Sequence, residues 1–525
     1  MTAMMATLSA DAASAELLTW DAINWQKVVT HVRQLQMRIA KAFREKKYRK
    51  AKALQWILTH SFYAKLLAVK RVVENKGAKT AGIDNILWNT AKHKIQAALS
   101  LKRCSYQTKP LKRIYIPKKH KGKLRPLSIP SMHCRGMQAL HMLSLEPIAE
   151  SMADKNAYGF RPLRSTADAI DQCFKSLSRR SSSQYILEAD ISACFDKISH
   201  SWLLSNVPMD TEILRKWLAA GYIEKGKLYS TEQGTPQGGI ASPTLLVITL
   251  SGLEKAIKAV TKPKDKVNVC IYADDFIITG VSKEVLENKV KPVVETFLRE
   301  RRLTLSEEKT RITHINEGLD FLGMNIRKYN NKLLIRPAKS SVKRFLADLR
   351  GTIKVNGTSK TEDLIRILNQ KIRGWGNYYS HVCSKKIFNY VDNQVFKAIW
   401  QWSKRRHSNK SSSWIKAKYF RRKAMQDWIF FAPFKNKEGL TIPYDIVMAS
   451  KIPIKRHTKI RAEATPFDPI YHDYLTKRMI MLNGNKAKYG SKINWWICWW
   501  NLLSPMGLDR KDRVANSNFM KARAV

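Results

Sequence analysis

Apolar residues recur along this chain at two different periods. Between Trp25 and Phe43 the positions Trp25, Val29, Val32, Leu35, Ile39 and Phe43 repeat at helical spacing, while Arg33, Arg38, Lys41 and Arg44 point elsewhere. That pattern predicts a helix with one basic side. A second helical stretch covers roughly Arg49 to Glu74, and residues 1–20 are expected to be mobile. From about Gly82 to Ile335 short β-branched runs alternate with helical ones. Two of these runs, Val267–Ile271 and Phe276–Gly280, flank Tyr272-Ala273-Asp274-Asp275 and read as a tight hairpin with Asp at its tip. A further run from Tyr185 is interrupted by Asp190. Beyond Pro337 strands thin out. Val342–Ile353, Glu362–Tyr379 and Ile387–Trp402 read as three helices, with Gly351 and Gly357 marking the first break.

Carboxylates inside strands this apolar need an explanation, because burying them unpaired is costly. They must project from a sheet edge toward positive charge, and hard oxygen ligands suit Mg²⁺. Phosphoryl transfer by a two-metal route needs two cations on shared carboxylates, one activating the attacking 3′-oxygen and the other steadying the leaving pyrophosphate. Asp190 and Asp274 can supply that bridge. Successive strand residues face opposite sides, so Asp274 is expected to be the principal ligand and Asp275 an auxiliary one. For either Asp alone, an ordinary salt bridge on a basic protein is an equal reading. Their pairing, in this order, favours the metal. A triphosphate arriving there still carries excess negative charge, which Lys118 and Arg125, flanking Gly122 on a hairpin, could meet from the other side. Gln237 lies in a loop made pliable by Gly234, Gly238 and Gly239, which allows close approach to a base pair; a plain turn before Ser242-Pro243 is compatible with that.

Charge widens the picture. The chain holds 94 Lys+Arg against 42 Asp+Glu, a net +52 over 525 residues, which implies a polyanionic partner. Hydrophobic residues make up 44%, enough for real cores rather than a disordered basic tail. No run of 18 or more apolar residues suggests a membrane span, and no basic segment precedes an apolar stretch at the N-terminus as in a secretory signal. The seven Cys contain no C-x-x-C pair, which fits a reduced cytosol without a disulfide frame or zinc site. Between Lys404 and Lys423 bases interleave with Trp414, Tyr419 and Phe420, a texture suited to structured RNA. Lys404, Arg405, Arg406, Lys416, Lys418, Arg421 and Arg422 are the candidate RNA contacts.

Several blocks occur in an order that resembles the reverse transcriptases, combined with maturases, encoded by group II introns. They are Asn75-Lys76-Gly77 to Gly82-Ile83-Asp84, Ile114–Lys118 to Lys123–Leu127, Tyr158-Gly159-Phe160-Arg161-Pro162, the Asp190 strand, Gly234–Gly239, the Tyr272–Asp275 hairpin, Leu305–Thr310 and Phe321-Leu322-Gly323. Arg373-Gly374-Trp375-Gly376-Asn377-Tyr378-Tyr379 resembles the family's thumb signature, in which Trp375 is expected to pack rather than touch RNA. The resemblance implies an α+β right-hand polymerase, with fingers and a palm built on an antiparallel sheet, then an α-helical thumb and a basic C-terminal DNA-binding region. The domains implied are a helical extension (1–74), fingers and palm (75–335), thumb or maturase domain (336–426), a DNA-binding region (427–464) and an endonuclease remnant or tail (465–525).

The resemblance also assigns roles. Asp190, Asp274 and Asp275 are catalytic, with two Mg²⁺ ions on Asp190, Asp274 and the backbone of Ile191. Lys118, Arg125, Phe195, Gln237 and Lys309 bind the dNTP. Phe195 lies under the incoming sugar, where its ring would exclude a 2′-hydroxyl, although by spacing alone it reads as a core residue. Lys309 is the candidate general acid at the pyrophosphate. The expected partners are the intron RNA and target DNA, in the bacterial cytoplasm and at the nucleoid. Thr465–Pro469, Tyr474 and Arg478 resemble the lead-in to an HNH endonuclease, yet beyond Arg478 there is one Cys and no His. Second-strand DNA cleavage is therefore not expected, and Trp495–Trp500 is expected to pack a shortened tail. The competing readings are a splicing cofactor that binds RNA without polymerising, and a domesticated reverse transcriptase in phage defence.

Overall fold

The structure, a computed structural model, describes residues 19–117, 124–435 and 438–483. Lys118, Gly122, residues 1–18 and the Trp495–Trp500 cluster lie outside them. The chain divides into two units. Of the described residues, the first unit takes in those up to Ala169, Leu187–Ile312 and those from Ile460 onward; the second takes in Ile170–Ile186 and Thr313–Lys459.

The first unit opens with the helix Trp25–Arg44, capped by the Asn24 side chain on the Lys27 amide. Val28, Val29, Val32, Leu35 and Ile39 form its buried stripe. The expected long helix after it is two, Tyr48–His60 and Phe62–Val73. Ser61 turns to extended geometry between them (φ −64°, ψ 129°), and its amide closes the first helix on Ile57 and Leu58. The hydrophobic pattern runs on through the break, so periodicity alone does not reveal it. These helices pack on Met132–Met152, a helix buried on nearly every side. Buried Gln36 donates to the Leu143 carbonyl at 2.7 Å. Arg135 of the same long helix donates to the carbonyls of Gly77, Thr80 and Pro130, which ties down the Asn75–Asp84 block.

His141 sits in this helix, buried, its ring edge-on to Trp217. Burial pushes its imidazole down to about 4. An unfolded His titrates near 6.5, so the native state keeps its full advantage above that pH. The advantage falls as the pH drops from there toward 4. Denaturant unfolding at pH 7 and pH 5 is expected to show the wild type losing roughly 2 kcal/mol more than His141→Leu. Equal losses would contradict the assignment.

Two sheets are built mainly from first-unit residues, with Tyr185–Ile186 of β3 and Thr313–His314 of β8 counted in the second. Strands β1 (Leu111–Pro117), β2 (Leu124–Ile129), β3 (Tyr185–Asp190), β4 (Tyr222–Glu224), β5 (Lys227–Tyr229), β6 (Asn268–Tyr272), β7 (Asp275–Gly280) and β8 (Arg311–His314) arrange as β2-β1-β4-β5 and β6-β7-β3-β8. The strands β1 and β2 are antiparallel, with Ile116 opposite Arg125.

In the second unit β9 (Leu319–Phe321), β10 (Met324–Tyr329) and β11 (Lys332–Pro337) form an antiparallel sheet. The three expected helices follow as Lys339–Val355, Thr361–Tyr378 and Lys385–Arg406. The first runs through Gly351, which does not break it. Trp375 stacks flat on Phe345 (4.6 Å, 3°) and packs beside Tyr379 and Phe388. A three-stranded sheet then appears that the periodicity does not announce: β12 (Phe420–Lys423), β13 (Gln426–Lys435) and β14 (Thr441–Asp445). Its first hairpin straddles the 426/427 boundary read from the resemblance. Among the described residues, no helix is long and apolar enough to cross a membrane.

Candidate active site

Strands β6 and β7 pair antiparallel with Tyr272 opposite Asp275, so the turn consists of Ala273 and Asp274. Val269–Ile271 and Phe276–Gly280 are buried, and the hairpin is locked into the sheet up to its acidic tip. Ala273 takes a left-handed φ of 58°, unusual for a residue with a Cβ. The segment before it is gripped from one side. Tyr158 donates to the Ile271 carbonyl at 2.8 Å, and Ile271 donates to Asn156 at 3.0 Å. Gly159 then passes so close that a Cβ there would lie 2.2 Å from the Ala273 nitrogen.

Asp190 ends β3, which neighbours β7 in the sheet. Its carbonyl accepts from Ser306 at 2.8 Å, and Ser192 donates to Thr304 at 2.9 Å, so the chain leaving β3 is pinned on both sides of Ile191. The three acids come together. Burial, then the Asp190 charge, raise the Asp274 carboxyl above its ordinary range, against the opposing pull of Arg125 and Lys309. Desolvation of the carboxyl, then repulsion from Asp274 and interaction with Asp190, push Asp275 up to about 7, although much of that residue's surface is open to solvent. Strand alternation separated Asp274 from Asp275. In the structure Asp274 lies in the turn, where alternation does not apply, and Asp275 interacts with both Asp274 and Asp190. Among the described residues no three His, Cys, Asp or Glu side chains stand in a formed metal cage. The acids instead meet through their mutual charge.

Cations balance them. Lys309 donates to Asp190 Oδ2 at 2.6 Å, and that bond raises its own pKa. Arg125, near the start of β2, has an exposed side chain whose charge reaches Asp274. Lys118, its expected companion, lies outside the described residues. The Gly234–Gly239 loop is moored to both neighbours. The Gln237 carbonyl accepts from Ser128 at 2.8 Å and its side chain donates to Asp196 at 3.4 Å. Gly234 (φ +84°) passes against the Phe195–Asp196 backbone, where a Cβ would lie 2.6 Å from Asp196. The loop also delivers the chain into the helix Ser242–Leu250, so it serves as a strand-to-helix turn as well. Phe195 is half-buried with its ring edge-on to Phe160, 6.2 Å away.

The candidate RNA contacts lie in the second unit, where they divide into two groups. Lys404, Lys416 and Lys418 sit over the rings of Trp400, Trp428 and Trp414 at 5.3, 4.6 and 4.6 Å, while Arg405 and Arg422 are exposed. Arg406 donates to the Ser359 carbonyl at 2.6 Å. Arg421 grips Asp445 through two bonds of 2.7 Å, holding β12 and β14 together. Sequence texture does not distinguish the Arg406 and Arg421 ties from the other cations, because their partners lie far along the chain.

Two buried networks behind the site went unread. Glu150 accepts from Arg161 at 2.7 and 3.1 Å and from Arg164 at 3.1 Å, all three side chains at most 3% exposed. Fully buried Asp168 accepts from Arg478 at 2.7 Å and from the Ile460 amide at 2.8 Å. The segment resembling an endonuclease lead-in thus buttresses the first unit. Arg161 within the Tyr158–Pro162 block was the available signal for the first network; the second joins residues 310 positions apart and leaves no local trace.

Three family models match this chain. One described as reverse transcriptase (RNA-dependent DNA polymerase) matches residues 116–326. The N-terminal domain of reverse transcriptase matches 20–101, and the group II intron maturase-specific domain matches 342–420. The group II intron-encoded protein LtrA of Lactococcus lactis subsp. cremoris is 28% identical over 421 residues, covering 62% of this chain and 70% of that protein. Protein YkfC of Escherichia coli (strain K12) is 31% identical over 301 residues, covering 49% of this chain and 78% of its own. Among solved structures, Candida albicans telomerase with a telomeric RNA fragment aligns at a TM-score of 0.36 and 14% identity, over 59% of this chain and 66% of that one.

Proposed function

This chain belongs to the reverse transcriptases encoded by group II introns, and from that premise we propose how its own side chains carry out the work. It is an RNA-directed DNA polymerase and a splicing cofactor. The observation that carries the residue assignments is the meeting of Asp190, Asp274 and Asp275 at one end of a sheet, faced by Lys309 and Arg125. In this reading residues 75–335 are fingers and palm, 336–426 the thumb and 427–464 the DNA-binding region. The intron RNA and target DNA are the polyanions that a +52 chain meets, in the cytoplasm and at the nucleoid.

The donor set fits a divalent cation: carboxylate oxygens whose protons are held by mutual repulsion gain most from a positive ion. Asp190, Asp274, Asp275 and the Ile191 backbone carbonyl would hold two Mg²⁺ ions, which when bound supply Lewis-acid activation of the primer hydroxyl and neutralise charge at the pyrophosphate. The remaining steps belong to the protein. Arg125 meets the triphosphate from the side opposite the acids. Lys309 keeps its proton while Asp190 accepts from it, and gives it to the pyrophosphate oxygen once that partnership breaks. The Gln237 loop backs the new base pair. Phe195 closes the space a 2′-hydroxyl would need, so Phe195→Val is expected to relax discrimination against ribonucleotides by on the order of 100-fold. Unchanged ribonucleotide incorporation would remove Phe195 from that role.

A non-polymerising RNA chaperone is disfavoured by the acids themselves, since grouped carboxylates oppose binding of a polyanion. Two assays on the purified protein test the reading: DNA-primer extension on an RNA template, and splicing of its own intron precursor. Both activities are expected. Accelerated splicing without any extension would favour the binding-only alternative.

A further inference from the structure

Phe160 is held in a conformation that its surroundings impose. Its φ is 59°, a left-handed geometry that is an outlier for a bulky side chain, and its residue surface is 40% exposed. Such strain persists only where neighbouring structure over-determines it. Here both neighbours are fixed. Gly159 abuts the Ala273 backbone, and Arg161 is clamped by Glu150 and by the carbonyls of Asp154 and Ala157. A ring this exposed adds little burial, so packing does not account for the strain.

What the conformation achieves is a contact. The Phe160 ring stands edge-on to Phe195 at 6.2 Å and 69°. The Phe195 backbone is fixed separately, its carbonyl accepting from Thr235 at 2.6 Å. One neighbour therefore sets where Phe195 begins and another sets where its ring lies. We propose that Phe160 is a specificity-determining positioning residue, whose ring holds Phe195 against the sugar so that rejection of a 2′-hydroxyl belongs to the pair. This rests on the reading of Phe195 as the sugar contact.

The test is single-nucleotide incorporation of dNTP and the matching rNTP by full-length wild type, Phe160→Ala, Phe160→Gly, Phe160→Tyr, Phe195→Val and the double variant Phe160→Ala/Phe195→Val. Phe160→Ala is expected to lower the dNTP preference about tenfold, chiefly through a lower KM for the rNTP, with kcat for the dNTP nearly kept. Phe160→Tyr should keep the wild-type preference. Phe160→Gly should lose it as Ala does, yet melt no earlier than Ala, because glycine relieves the left-handed strain. The double variant should match Phe195→Val, since a missing ring needs no positioning. Wild-type preference in Phe160→Ala beside a relaxed Phe195→Val overturns the proposal, as would effects that add in the double variant. Wild-type preference in Phe195→Val overturns the sugar-contact reading and takes this inference with it.

Discussion

Asp274→Ala protein is expected to bind its RNA as the wild type does and to extend a primer on the order of 10³-fold more slowly. The reason lies in where Asp274 sits. It occupies the tip of a two-residue turn whose flanking strands are buried, so removing the carboxylate changes no core packing. Its half-buried side chain faces the Asp190 charge, and that pairing is what a divalent ion would bridge. Loss of one bridging ligand removes stabilisation from the transition state rather than from RNA binding, which is spread over many cations elsewhere. Primer extension and a filter-binding titration, run on one preparation, separate the two. Extension within tenfold of wild type would show that the acid is not part of the chemistry.

Gly159→Ala is expected to cost about 100-fold in extension rate although it touches no substrate. The added Cβ would fall 2.2 Å from the Ala273 nitrogen and 2.8 Å from the Tyr272 carbonyl carbon. These are backbone atoms at the root of the acidic turn. They cannot swing aside as a flexible side chain would, so the hairpin itself must shift and carry Asp274 and Asp275 away from Asp190. Gly351→Ala is the matched control, because nothing lies within 4 Å of its Cβ. It replaces a helical glycine and should stabilise by about 0.5–1 kcal/mol with activity unchanged. A Gly159→Ala enzyme with wild-type kcat and KM would mean that the close approach does not position the acids.

How much of this was legible depended on range along the chain. The Tyr272–Asp275 hairpin was readable because β-branched runs flank a two-residue break, and the helix from Trp25 because its apolar stripe repeats over five turns. The break at Ser61 was not, since the stripe continues on both sides of it. The β12–β14 sheet was masked by its own charge: Arg421 read as an RNA ligand, while the partner that makes it structural, Asp445, lies 24 residues on. Lys309 and Asp190 are 119 positions apart, and only the ordered motifs of the family suggested that they share a site. The roles of Gly159 and Phe160 depend on atoms meeting across the fold, which no local pattern reports.

If Asp190, Asp274 and Asp275 jointly hold the ions that drive DNA synthesis, ion binding must depend on them. The measurement is a titration of Mn²⁺, followed by electron paramagnetic resonance, into protein bound to an RNA template, a chain-terminated DNA primer and the next dNTP. Wild type should retain two ions that Asp190→Asn and Asp274→Asn each weaken by at least about tenfold. Ion number and affinity unchanged in both variants would contradict that joint role.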